Sequence, residues 1–258
     1  MQWVMKLSIK TNNIIWFWLT VLELHGVASN AKNMHILFVG NSLTYSNSIP
    51  DLIVEFGKLD GNTITYHNLL KPNYSLEDYW LEGQVQKEIR TGKYDIAILQ
   101  QGPSALLESQ ELLLKFTEKI AKICSEYNVQ VALYMVWPSR FRYFDFDNVI
   151  LSYKNVAIST KSLICPVGLV WKKGFDSKSF ALNDFYSIDG FHPTMAGSTV
   201  AALTIYASIS NKSDLNFFNE FPPNWNSGFT ATKLHVLKQL LLESIAETNG
   251  YKKIIKIN

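Results

Sequence analysis

The sequence has little of what several common kinds of site require. Only two of its 258 residues are cysteines, and Cys124 and Cys165 lie too far apart for a zinc-binding spacing. With no cysteine–histidine cluster in the chain, we expect neither a metal nor another cofactor. The 24 basic and 22 acidic residues give a net charge of +2 without a basic stripe, which argues against nucleic acid as a partner. Spacing alone leaves open whether the two cysteines form a disulfide.

A membrane-spanning apolar run is also missing near the N-terminus. The stretch Ile14 to Leu24 has about 11 residues, whereas crossing a bilayer takes about 20. Lys6 and Lys10 precede it, small residues follow it, and no cysteine offers a lipoprotein anchor. We therefore expect residues 1–31 to be a signal peptide and 32–258 to be a single domain, secreted or periplasmic, without a stable membrane anchor. The alternative is that this stretch forms a buried helix at the N-terminal end of the domain.

Apolar runs alternate with amphipathic stretches along the rest of the chain, and this alternation predicts a parallel sheet covered by helices. His35 to Val39 predicts the first strand, and Leu76 to Ile89 predicts a helix. The run Ile164 to Val170 contains Pro166 and fits an edge strand or its end. Trp137 to Phe146 is rich in aromatic residues and follows a predicted strand at its carboxyl end, where open α/β sheets bind ligands.

Two short segments supply the groups of a serine nucleophile and its base. Ser42 follows Gly40 at the end of the first predicted strand, so a tight turn would place its hydroxyl at the edge of the sheet. Of the five histidines, only His192 lies in a predicted loop three residues after a carboxylate, Asp189. Asp189 could orient one ring nitrogen while the other accepts the proton of Ser42. Taken singly, an ordinary strand–helix loop and a turn-capping Asp explain these segments as well.

Together the two segments resemble the first and last blocks of the SGNH (GDSL-type) hydrolase superfamily. The segments are Gly40-Asn41-Ser42-Leu43-Thr44, in which Asn41 stands where Asp is usual, and Asp189-Gly190-Phe191-His192-Pro193. The similarity extends from about Met34 to Ser208. It implies a three-layer α/β/α, flavodoxin-like sandwich with a short parallel sheet. It also implies ester or acyl hydrolysis through an acyl-serine intermediate, with a triad of Ser42, His192 and Asp189.

The same resemblance implies an oxyanion hole of two backbone N–H groups and a side-chain amide. The first N–H belongs to Ser42, and the second to Asn73, which stands where the family has Gly; Asn tolerates left-handed backbone geometry better than most residues. A direct match places Ser104 at the position of the family's amide-bearing Asn, but Gln101 carries an amide slightly earlier. We therefore predict Ser42, Asn73 and Gln101 as oxyanion donors, with Gln100 and Ser104 as alternatives. The two glutamines could instead only cap the strand.

The resulting hypothesis is a secreted serine esterase that acts on acyl esters of small molecules or polysaccharides. Acetyl esters of carbohydrate are suggested by analogy with secreted members of the family, although a fold does not define a substrate. Three alternatives stay open: an acyltransferase with the same triad, a non-catalytic carbohydrate-binding protein on a decayed hydrolase scaffold, and a flavodoxin-like electron carrier that would need flavin. The aromatic loops fit a rim that contacts sugar or acyl groups, and they fit packing equally well.

Overall fold

A computed structural model describes residues 32–220 and 229–255. The predicted signal peptide, residues 1–31, lies outside the described residues. The strands are β1 Asn33–Gly40, β2 Thr63–Leu70, β3 Ile96–Leu99, β4 Gln130–Tyr134 and β5 Leu163–Cys165. They form one sheet in the order β2-β1-β3-β4-β5, and every neighbouring pair is parallel.

Helices connect the strands and cover the sheet. Those of the described residues are α1 Ser42–Tyr45, α2 Ile49–Leu59, α3 Leu76–Leu81, α4 Gln84–Ile89, α5 Leu107–Glu126, α6 Phe146–Thr160, α7 Val167–Asp176, α8 Leu182–Phe185, α9 Met195–Ser210 and α10 Ala231–Ile255. Short 3₁₀ helices lie at Ser46–Ser48, Arg140–Asp145 and Asn216–Glu220. Helix α2 packs against α9, while α5 packs against α3, α4 and α6. The sheet flanked by helices confirms the predicted α/β/α architecture.

The central strands explain why the chain folds this way. The runs Ile36–Val39 in β1 and Ile96–Leu99 in β3 are apolar at every position and almost fully buried. Such continuous runs are typical of parallel strands that helices cover on both faces. Because all strands run in one direction, the loops that follow β1, β3 and β4 meet at one edge of the sheet. That edge holds the candidate site.

The fifth strand is shorter than its apolar run. It ends at Cys165, because Pro166 has no N–H to donate to the sheet, and Val167 begins α7. An edge strand at Ile164 is therefore confirmed, but its extension to Val170 is wrong. Gly168 lets the new helix approach β4 closely, since a Cβ there would lie 2.1 Å from the carbonyl oxygen of Val136.

The helix predicted over Leu76 to Ile89 is divided in two. Ser75 begins α3 with a capping box, in which its hydroxyl accepts from the N–H of Asp78 and the Asp78 carboxylate accepts from the N–H of Ser75. Gly83 has a φ of +73°, a left-handed value that is incompatible with a continuous α-helix. Helix α4 starts directly after it. The apolar periodicity continued across this break and hid it.

Cys124 on α5 and Cys165 on β5 are both buried, and no disulfide joins them. Burial raises the pKa of the Cys124 thiol to about 12, so this side chain stays protonated and inert. Among residues 32–220 and 229–255, no helix is both long enough and apolar enough to cross a membrane.

Candidate active site

Ser42 lies at the carboxyl edge of the sheet as the first residue of α1. The side chain of Asn41 caps this helix by accepting from the N–H of Leu43 at 3.1 Å. Gly40 lets the Gln100 side chain approach the end of β1 closely, because a Cβ there would lie 2.5 Å from Oε1 of Gln100. Local sequence therefore places the Ser42 hydroxyl at the end of β1, as predicted.

The structure brings Ser42 to His192 across 150 positions of sequence. Nε2 of His192 lies 2.9 Å from Oγ of Ser42, and Nδ1 lies 2.6 Å from Oδ2 of Asp189. An ionised carboxylate only accepts hydrogen bonds, so Nδ1 carries the proton in a neutral ring. Nε2 is then an acceptor for the Ser42 hydroxyl, which is the arrangement that a serine nucleophile requires.

The Asp189 carboxylate is held by its own loop. Oδ1 accepts from the hydroxyl of Ser187 at 2.7 Å and from the N–H groups of Phe191 and His192 at 2.9 Å each. Partial burial would raise the pKa of Asp189, but the hydrogen bonds from Ser187, the His192 ring and the two N–H groups outweigh it and hold the pKa well below its usual value. Asp189 is therefore ionised at neutral pH.

The loop after β4 supports the Asp–His loop from outside. The indole N–H of Trp137 donates to the carbonyl of Phe191 at 2.9 Å, and the backbone N–H of Arg140 donates to the carbonyl of Gly190 at 2.8 Å. Ser139 adds a 3.2 Å hydrogen bond to the same Gly190 carbonyl. Gly190 has a φ of +69°, and a Cβ there would lie 2.6 Å from the Arg140 side chain. The sequence marked this stretch as ligand-binding but did not indicate its supporting role.

Two backbone N–H groups in the Ser42 and Asn73 loops lack a hydrogen-bond partner among the described residues. Asn73 has a φ of +60°, the left-handed geometry considered from the sequence, and its N–H has no hydrogen-bond partner among the described residues. The N–H of Ser42, at the start of α1, likewise has no partner within that part of the chain. The side chain of Asn41 donates to the carbonyl of Tyr74 at 3.0 Å and so ties the Asn73 loop to the nucleophile loop.

Gln100 is buried and occupied with local structure. Its Oε1 accepts from the N–H of Asn41 at 2.8 Å and from the hydroxyl of Thr44 at 2.9 Å. Its Nε2 donates to the carbonyl of Gln101 at 2.8 Å. These contacts favour the interpretation of Gln100 as a capping residue, because they hold the turn that carries Ser42.

The side chains of Gln101 and Ser104 form a hydrogen bond in the loop that precedes α5. Nε2 of Gln101 lies 3.2 Å from Oγ of Ser104 and 3.3 Å from the carbonyl oxygen of Ser109, so both of its N–H groups have acceptors. Ser104, at a φ of +54°, donates its own hydroxyl to the carbonyl of Gly102. An oxyanion role for Gln101 stays a prediction, and it would require the amide to leave one of these acceptors.

The aromatic stretch after β4 divides into core and surface. Trp137 is fully buried and stacks on Trp171 with ring centroids 3.6 Å apart, and Phe146 is also buried. Phe141 and Phe144 are more than 70% exposed (72% and 73%). Packing is therefore confirmed for Trp137 and Phe146, while contact of Phe141 and Phe144 with sugar or acyl groups stays a prediction.

The aromatic stretch near the C-terminus is described only in part. Phe217 and Phe218 are buried and pack their rings against Phe56 of α2, with centroids 6.3 Å and 5.4 Å away. These two residues serve packing, while the rest of that stretch, residues 221–228, lies outside the described residues.

A cavity of about 460 Å³ adjoins the site on the side of the β3 and β4 loops. Phe191, next to His192, forms one wall, and Ser75 and Gln101 form others. Its exposed surface is mostly apolar, and the apolar side chains are those of Pro103, Ala105, Leu106, Leu112 and Pro138. Ser104, Ser109, Ser139, Arg142 and Asp145 also line it. The cavity offers space for an apolar group beside Phe191.

The chain is similar in structure to several solved proteins. A protein from Slackia heliotrinireducens that is assigned to the SGNH hydrolases matches with a TM-score of 0.58 and 20% identity, over 70% of this chain and 100% of its own. A DUF4886 family protein from Bacteroides uniformis matches with a TM-score of 0.66 and 16% identity, over 83% and 95%. An acetyl-xylooligosaccharide esterase from Geobacillus stearothermophilus matches with a TM-score of 0.55 and 14% identity, over 69% and 95%. No protein-family profile and no curated protein matches the sequence.

These matches and the sheet topology define the class of fold. The chain has the SGNH-hydrolase fold, as its first and last blocks implied. At identities of 20% and below, the likeness concerns the fold alone, and the activity has to be argued from the site.

Proposed function

We propose that this chain is a secreted serine esterase that hydrolyses acyl esters with Ser42, His192 and Asp189. The observation that carries the proposal is the pair of contacts that joins them, 2.9 Å from Ser42 to His192 and 2.6 Å from His192 to Asp189. A chain of contacts in this order gives the nucleophile, the base and the group that orients the base. Secretion rests on the predicted signal peptide.

The first half of the reaction forms an acyl-enzyme. Oγ of Ser42 attacks the ester carbonyl carbon while Nε2 of His192 takes the hydroxyl proton. The ionised Asp189 stabilises the imidazolium that results. The carbonyl oxygen, now negative, accepts from the backbone N–H groups of Ser42 and Asn73. His192 then gives its proton to the departing alcohol oxygen as the tetrahedral intermediate collapses.

The second half releases the acid. A water molecule attacks the acyl carbon while His192 removes one of its protons, and the same two N–H groups stabilise the second tetrahedral intermediate. Collapse of this intermediate breaks the bond to Oγ of Ser42, which recovers its proton from His192. No residue needs to change position between the two halves.

Acetyl esters of carbohydrate are the substrate class that we propose. A solved protein with a similar fold is named as an acetyl-xylooligosaccharide esterase. In this chain the cavity beside Phe191 suits the acyl group, because its exposed surface is mostly apolar.

The test uses residues 32–258, expressed without the predicted signal peptide, and p-nitrophenyl acetate. Wild-type protein should turn over this ester and react covalently with a fluorophosphonate probe. Ser42→Ala should lower kcat by about 10⁴-fold or more and abolish labelling. Ser125→Ala, at an exposed serine of α5, is the matched control and should behave as wild type. Equal activity of Ser42→Ala and wild type would refute the triad. Products formed with an acceptor sugar present separate hydrolysis from acyl transfer.

A further inference from the structure

A second and larger cleft lies on the other side of the triad, at the sheet edge formed by β2. It has a volume of about 1080 Å³ and lies between α2 and β2, with Asn47, Asp51, Glu55, Tyr66 and Met195 among its walls. Ligand pockets are usually about 300–1,000 Å³, so this cleft is at the upper end of the range. An acetyl group and one sugar ring would leave much of it empty.

The cleft begins beside the catalytic base. The side chain of Asn47 donates to the carbonyl of Pro193, the residue after His192, at 3.0 Å and to the hydroxyl of Ser198 at 2.9 Å. Met195, three residues beyond His192, is 40% exposed and lines the same space. One end of the cleft therefore lies next to the loop that carries His192.

The chain takes an unusual path at this junction. Asn47 and Ser48 have φ values of +52° and +54°, so two consecutive residues other than glycine adopt left-handed geometry. Such residues are uncommon, and they cluster where a binding site imposes the backbone path. Here they turn the chain at the rim of the cleft, immediately before α2.

The polar part of the lining suits an uncharged ligand with hydroxyl groups, and Val54, Ile64 and Met195 supply apolar surface beside it. Tyr66 donates to Oδ1 of Asp51 at 2.5 Å, and its ring packs edge-on against Phe38. Burial and the Asp51 carboxylate raise the pKa of Tyr66 to about 12, so the phenol stays neutral. Glu55 pairs with Lys58 at 2.6 Å, which leaves Asp51 as the surplus negative charge. Carboxylate oxygens accept hydrogen bonds from hydroxyl groups and repel anions.

We propose that the cleft between α2 and β2 holds a neutral carbohydrate chain that continues from the acylated sugar unit at Ser42. The inference rests on the proposed esterase function and extends it from the ester to the polymer that carries it. The supporting observations are the size of the cleft, the hydrogen bond from Asn47 to the His192 loop, and the one surplus negative charge, Asp51, in its lining.

The experiment compares kcat/KM for acetylated xylo- and manno-oligosaccharides of one and five units. Wild-type protein should prefer the longer ester in at least one series by about tenfold, the effect of one or two added contacts. Tyr66→Ala removes the ring beside Asp51 and should reduce this length preference about fivefold. Asp51→Asn keeps the shape of the wall and should reduce it as well, which provides a second variant if Tyr66→Ala does not fold. Tyr127→Ala, at the exposed end of α5, is the matched control and should keep the preference.

Two outcomes overturn the proposal: equal kcat/KM for short and long esters in wild-type protein, or an unchanged length preference in both cleft variants. An acetylated oligogalacturonate of five units tests the charge argument, because an equal gain with this anionic chain would contradict a neutral ligand. Turnover of p-nitrophenyl acetate and fluorophosphonate labelling of Ser42 report on the esterase function separately. Protein that passes both of these tests but shows no length preference refutes the cleft assignment alone.

Discussion

The two sides of the candidate site are held in different ways. On the acid–base side, the Asp189 carboxylate accepts four hydrogen bonds, and His192 already contacts Ser42. On the oxyanion side, the amides of Gln100 and Gln101 have acceptors within the structure. In the proposed mechanism the reacting groups of the acid–base half are therefore side chains, whereas the oxyanion half depends on backbone N–H groups.

This difference follows from what each half has to do. A carboxylate that orients a histidine can be bonded permanently, because its charge is present throughout the reaction. Oxyanion donors must stay available for a charge that develops only in the transition state. The left-handed geometry of Asn73 and the first position of α1 at Ser42 each leave an N–H without a partner among the described residues.

The acid–base half should be the more sensitive to a single atom. Asp189→Asn keeps the shape of the side chain but lets the amide favour the wrong ring tautomer, so we expect kcat to fall about 10⁴-fold. Steady-state kinetics on p-nitrophenyl acetate measures this loss. Asp147→Asn, at an exposed carboxylate on α6, is the control and should keep wild-type kcat. An Asp189→Asn protein with a tenth of wild-type activity would contradict the assignment.

The backbone half can be tested at Asn73. Asn73→Pro removes the N–H and restricts φ to about −65°, so it should lower kcat by about 100- to 1,000-fold. Asn73→Gly keeps the N–H and accepts positive φ freely, so it should be far more active than the proline variant. Circular dichroism would verify that both proteins fold. Similar kcat values for the two variants would show that this N–H does not contact the oxyanion.

The smallest loss of kcat should come from removing the side-chain amide of Gln101, which the sequence predicts as an oxyanion donor. Gln101→Met removes both N–H groups at nearly constant volume. Because these groups bond to Ser104 and Ser109, we expect kcat to fall by less than about tenfold, the range of ordinary neutral hydrogen bonds. A loss of 100-fold or more in a protein with an unchanged melting temperature would instead make Gln101 an oxyanion donor.

Much of the fold was accessible from sequence because it rests on local patterns. The continuous apolar runs of β1 and β3 indicate buried parallel strands, and the structure has them. The errors have local physical causes as well. Pro166 ends a strand inside an apolar run, and Gly83 interrupts a periodic helix at positive φ. In both places one residue's backbone requirement overrides the apolar pattern around it.

The site was accessible only where chemistry marks its residues. Ser42, Asp189 and His192 stand out because few other residue types can do their work. The supporting role of Trp137 and Arg140 could not be predicted in this way. These residues act through hydrogen bonds to the carbonyls of Phe191 and Gly190, about 50 positions along the chain. Any residue with a suitable N–H could make such contacts, so no residue type reveals them in advance.

The two buried thiols have a practical consequence for how this protein is made. Cys124 and Cys165 are its only cysteines, and no disulfide joins them. The domain therefore requires no oxidative step to reach its final state. It should fold equally well in a reducing cytosol, which makes ordinary bacterial expression without export suitable for every experiment described above.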